Sequence, residues 1–130
     1  MEKISTDLKI IGQKCWRAWE GVLPAIFFEL GKKIGDKKGE ISLCFDTLPW
    51  ELMINDRLEV DSKSDKKRII DALFKINGQI VTNFYINKND QTVELSFNKI
   101  KIIGYFNNNN DSFYIINSNE EELAFNKKNL

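Results

Sequence analysis

The chain has 130 residues, 42% of them hydrophobic and 12% aromatic, and its 19 basic residues balance 19 acidic ones. A chain of this length buries roughly two thirds of the surface its unfolded form exposes, so one core can hold without a disulfide or a metal. Zero net charge argues against a general nucleic-acid binder, which carries a basic excess. No run in the sequence approaches the ~20 apolar residues of a membrane span.

The first segment, "GQKCWRAWEG" at 12–21, alternates loosely and predicts a strand. Strict alternation would put Lys14, Trp16 and Ala18 on one face and Cys15, Arg17 and Trp19 on the other. "VLPAIFFEL" at 22–30 predicts a second strand, with Pro24 near its start, where an edge or first position tolerates proline. "GKKIGDKKGE" is a turn rich in glycine and lysine. "EISLCFD" follows with a period of two: Ile41, Leu43 and Phe45 face one way, Ser42, Cys44 and Asp46 the other. "WELMIND" repeats the pattern with Trp50, Leu52 and Ile54 on its apolar face.

The period then changes. "SKSDKKRIIDALFKING" places Ile69, Ile70, Leu73, Phe74 and Ile76 at helical spacing and predicts an amphipathic helix over about 63–76. Ser62 or Ser64 can cap its start, Asp65 suits the positive end, and Asn77-Gly78 supplies the stop. Strands resume in "QIVTNFYIN", "TVELSFN" (Val93, Leu95 and Phe97 on one face), "KIKIIGYF" and "SFYIIN", with turns at "KNDQ", Asn98-Lys99 and "NNNND". "EEELAFNKKNL" adds a short last strand or a frayed end. The expected class is α+β: about seven or eight antiparallel strands and one central helix in a single domain, 1–130.

The two sides of the helix resemble each other. "IIGQKCWRAW" matches "KINGQIVTNF", anchored on Gly12-Gln13 and Gly78-Gln79; "GKKI" matches "FNKI", and "WELMI" matches "SFYII". This fits two related β-meanders, 9–61 and 77–126, joined by the helix. It equally fits the self-likeness of any antiparallel meander.

Several chemistries are excluded. The chain has no histidine, so Ser-His and Cys-His nucleophilic sites cannot form and the commonest metal ligand is missing. No zinc, calcium or phosphate-loop spacing occurs, and no cofactor or metal is expected. Cys15 lacks a base and reads as a packing thiol. The N-terminus lacks a basic start followed by a long apolar run, so no signal peptide is expected. The expected location is the cytoplasm, with Cys15 and Cys44 reduced.

Charge is sorted into blocks. Asp46 to Asp61 holds five acids against Arg57 alone, and Asn107 to Glu122 holds four acids and no base. A neutral, cofactor-free β domain with acidic blocks points to a binding protein, not an enzyme. The layout, carried by "IIGQKCWRAW", the "FFELGKKI" to "GEISLCFD" hairpin, "PWELMI" and "INGQIV", resembles the small immunity proteins of bacterial contact-dependent and polymorphic toxin systems. That resemblance implies a cytoplasmic protein that binds and neutralises a cognate toxin domain, with no nucleic-acid or membrane partner. Many such toxins are nucleases with basic surfaces, and an acidic inhibitor surface would imitate the phosphate backbone and speed association. The candidate contact residues are Glu51, Asp56, Glu59 and Asp61, or Asp111, Glu120, Glu121 and Glu122. Exposed strand edges fit a homodimer as well as a monomer. Two other functions are open to these residues: a small-ligand β-barrel using Trp16, Trp19, Phe27 and Phe28, and an enzyme using Glu29, Glu40 and Glu94.

Overall fold

The computed structural model describes residues 9–22 and 24–130; Leu23, within the stretch predicted as the second strand, and residues 1–8 lie outside it. Eleven strands and one helix follow one another: β1 (Lys14–Glu20), β2 (Ile26–Lys33), β3 (Gly39–Phe45), β4 (Trp50–Ile54), β5 (Arg57–Asp61), α1 (Lys66–Phe74), β6 (Gln79–Ile80), β7 (Asn83–Asn87), β8 (Thr92–Ser96), β9 (Ile100–Tyr105), β10 (Ser112–Asn117) and β11 (Glu122–Asn126). The class is the predicted α+β, dominated by antiparallel sheet. The strand count exceeds the expected seven or eight. The strand β5 lies against "WELMI" through a two-residue turn that sequence alternation leaves unmarked, and β6 has only two residues.

The strands form two sheets, β11-β10-β3-β2-β1-β6 and β5-β4-β9-β8-β7. Their inner faces share one core, in which Phe28 meets Phe97 and Phe84 meets Phe113 across the two sheets. The alternation expected in β3, β4 and β8 holds. Leu43, Phe45, Trp50, Leu52, Val93, Leu95 and Phe97 are all buried, each contributing about 1.5–3 kcal/mol to the folded state. The Trp50 indole N–H donates to the Pro24 carbonyl at 2.8 Å and ties the two layers together.

The topology turns the sequence repeat into a pseudo-twofold. The first half builds β1-β2-β3 in one sheet, then sends the hairpin β4-β5 to the other; the second half builds β7-β8-β9 there and sends β10-β11 back. Backbone hydrogen bonds obey the same exchange. The Gly12 amide donates to the Val81 carbonyl at 2.8 Å, and the Gly78 amide to the Cys15 carbonyl at 2.7 Å. Gln13 donates to Ile10 at 3.1 Å as Gln79 does to Ile76 at 2.9 Å, and Asp46 to Ser112 at 3.1 Å as Tyr105 does to Pro49 at 2.9 Å. One detail of the sequence match shifts. Trp50 lies opposite Gly104 as Phe113 lies opposite Phe45, so Trp50 answers to Phe113, not Ser112. Both must point inward, and a slip of one residue would turn the strand inside out.

The helix is shorter than predicted. Its cap is Asp65, which accepts the Arg68 amide at 3.0 Å. Ser64 turns instead toward the preceding turn, where its hydroxyl accepts the Asp61 amide at 3.0 Å. At the other end the helix stops earlier than Asn77-Gly78, at Phe74 with Lys75 as its cap in right-handed geometry; turns follow to Gly78, which takes a positive φ of 88°. Ile69, Ala72 and Leu73 face the core. The helix packs on β1 and β5 and so closes one edge of the sandwich. No helix among the described residues is long and apolar enough to cross a membrane.

Candidate functional site

Because the inner faces carry the core, the outer faces are free to differ, and they do. On the five-stranded sheet, register aligns Tyr85, Glu94, Ile103, Glu51 and Asp61 in one row across β7, β8, β9, β4 and β5. All five are half-buried, and strand spacing puts neighbours in the row ~5 Å apart. Glu51 stands directly opposite Asp61, a like-charge pairing that costs a sheet stability. The Tyr105 hydroxyl donates to Glu51 at 2.5 Å. Burial and then this hydrogen bond push the Tyr105 phenol up to about 12. The hydrogen bond to Glu94, followed by burial, pushes Tyr85 up to about 12 as well. Lys101 lies 3.9 Å from Glu94. Beside the row, Pro49, Trp50, Glu51, Asp61, Ser62, Lys63 and Tyr105 line an open depression of about 330 Å³.

On the six-stranded sheet the outer face is aromatic. A bulge in β1 sets it: Cys15 pairs with Leu30 and Arg17 with Glu29, leaving Trp16 as the extra residue. The bulge overturns the alternation expected of this strand. Cys15 and Ala18 point to the core, while Trp16, Arg17 and Trp19 are half-buried on the outside. Trp19 stacks on its cross-strand partner Phe27, with centroids 4.3 Å apart and rings 15° from parallel. The Arg17 guanidinium lies over the same indole at 4.8 Å, and the Lys33 ammonium over Trp16 at 5.4 Å. Beneath them Glu29 is only 2% exposed. Its carboxylate accepts the Trp19 indole N–H at 2.9 Å, the Gly39 amide at 3.1 Å and the Ser42 hydroxyl at 2.5 Å.

The predicted contact residues separate. Glu51 and Asp61 join the acidic row. Asp56 is exposed in the β4-β5 turn, where it and Asn55 have φ of 64° and 52°. Glu59 ties β5 to α1, pairing with Lys75 at 3.7 Å while its carbonyl accepts from Arg68 at 2.8 Å. Asp111 is 4% exposed and its carboxylate accepts the amides of Asn107 and Asn108, so it builds the turn before β10. Glu120 approaches Lys38 at 3.9 Å, Glu121 accepts from Asn117 at 3.1 Å, and Glu122 is exposed on β11. The second block therefore lies on the other sheet from the first, at the pseudo-equivalent hairpin, and the two do not merge. Glu94 is the member of the acidic row missing from the expected contact set. Its outward place in "TVELS" is visible from the period of two, but its alignment with Glu51 is not.

No family model, curated protein or solved structure matches the chain significantly. Function is therefore argued from these faces.

The residues named for the two alternatives do not converge. Trp16, Trp19 and Phe27 are outside the six-stranded sheet and Phe28 is inside it, so the four line no common cavity. Glu29 and Glu94 lie on outer faces of different sheets. The Glu40 carboxylate accepts the Lys32 amide at 2.7 Å. Burial pushes the Cys15 and Cys44 thiols up to about 12, with the Asp46 charge adding to Cys44. Both are packing thiols at neutral pH. Among the described residues no three acidic or cysteine side chains are grouped to hold a metal ion.

Proposed function

We propose that the chain is a protein-binding domain that meets a basic partner through the acidic outer face of its five-stranded sheet. In its specific form the partner is a toxin domain of nuclease type, and the chain is its immunity protein in the same cytoplasm. The observation that carries this is the Glu94, Glu51 and Asp61 row, in which two like charges stand opposite each other although Asp61 also accepts the Lys63 amide at 2.8 Å and Glu51 the Tyr105 hydroxyl. Such a row fits a surface built to grip phosphate, and its field speeds encounter.

The test is co-expression with a candidate toxin domain of nuclease type. The wild-type chain should co-purify with it and protect the cells. The double variant Glu51→Lys/Asp61→Lys should keep its circular dichroism spectrum yet lose both properties. A folded double variant that still protects would refute the acidic-face proposal.

A further inference from the structure

The pseudo-twofold supplies an internal control for the aromatic face. Inward positions keep their chemistry between the halves: Phe28 answers to Leu95, Leu43 to Ile102 and Phe113 to Trp50. Outward positions do not. Arg17, Trp19 and Phe27 stand where the other sheet has Asn83, Tyr85 and Glu94. The five-stranded sheet thus carries an acidic row on its outer face, while Arg17, Trp19, Phe27 and Lys33 form a local aromatic and basic patch on the other sheet.

We infer that the outer face around Arg17, Trp19 and Lys33 is a second interaction surface, and that it takes an acidic, carboxylate-bearing protein segment. Three observations specify the occupant. Among the described residues neither Arg17 nor Lys33 has a carboxylate partner; each is held over a tryptophan ring. Of the neighbouring acids, Glu29 is committed to three donors and Glu40 to the Lys32 amide, which leaves the guanidinium its own donors to offer. Trp19 is fixed by Phe27, Arg17 and Glu29 together, and a pre-ordered Arg–Trp cluster loses little entropy on binding. With Phe27 stacked on it and Arg17 over it, the indole offers little ring surface for a nucleic-acid base. The partner's carboxylate would engage Arg17 in the two-pronged geometry guanidinium favours, while its apolar atoms cover Trp19 and Phe27.

The full chain, labelled with ¹⁵N, carries three indole N–H reporters: Trp16, Trp19 and the buried Trp50. A peptide of alternating Glu and Ala should shift the Trp16 and Trp19 signals and leave Trp50 unmoved. Arg17→Gln with Lys33→Gln should weaken that binding roughly tenfold or more, and added salt should weaken it further. Glu51→Lys/Asp61→Lys should leave it unchanged, which separates this surface from the proposed toxin contact. The inference is overturned if the peptide moves neither signal at millimolar concentration, or if the Arg17 and Lys33 substitutions change nothing. It is also overturned if a single-stranded oligonucleotide binds this face more tightly, or if the signals move with protein concentration alone, which would mark a second copy as the occupant.

Discussion

Glu29 holds Trp19 from below: the indole N–H meets the carboxylate at 2.9 Å, and Gly39 and Ser42 donate to the same group. A buried carboxylate with three donors is a structural keystone for the aromatic face. Glu29→Ala should cost roughly 3 kcal/mol, because it strands three buried donors. Glu29→Gln, which keeps one acceptor oxygen, should cost less. Urea unfolding monitored by tryptophan fluorescence measures both. Equal costs would show that neither the retained oxygen nor the side-chain volume matters, and that only the full carboxylate satisfies these donors.

Gly12, Gly78 and Gly104 need to be glycine for two different reasons. Gly12 and Gly78 have φ of 93° and 88° and open space where a Cβ would go, so an alanine there suffers backbone strain alone, about 1 kcal/mol. At Gly104 a Cβ would come within 2.7 Å of Leu48 and 3.0 Å of Phe45. Gly104→Ala should therefore cost more, about 1–3 kcal/mol from overpacking. Chemical denaturation of the three single variants ranks them; a Gly104→Ala midpoint at or above those of the other two would contradict the packing at the pseudo-twofold centre.

Stability should fall at alkaline pH. Cys15, Cys44, Tyr85 and Tyr105 are all raised to about 12 in the fold, from ordinary values of 9.0 for the thiols and 10.0 for the phenols. Their folded forms hold protons that the unfolded chain releases, so stability is full below about pH 9 and is lost as pH rises toward 12. Urea midpoints should hold level up to about pH 9 and decline from there to about pH 11. At pH 8 neither thiol should react with a thiol reagent until the chain unfolds; prompt labelling of either would disprove its burial.

The acidic row should act on the rate of encounter. Neutralising Glu94 and Glu51 together (Glu94→Gln, Glu51→Gln) should slow association with a basic partner more than it speeds dissociation, and the difference should shrink in high salt. Stopped-flow binding at two ionic strengths reads this. Stability should change by well under 1 kcal/mol, and in the favourable direction if relief of the Glu51–Asp61 repulsion dominates.

The sequence by itself determined the local grammar. The apolar faces of β3, β4 and β8, the left-handed turn at Gly78 and the Gly-Gln repeat were all legible, because alternation, helical spacing and left-handed glycine are properties of neighbouring residues. The tertiary structure alone decided three things. The bulge at Trp16 broke the alternation of β1, since an unpaired residue is defined only against its partner strand. The exchange of hairpins put the two acidic blocks on different sheets, because strand order is set by which faces the common core can bury. Cross-strand register brought Glu94, Glu51 and Asp61, distant in sequence, into one row, and set Glu29 beneath Trp19.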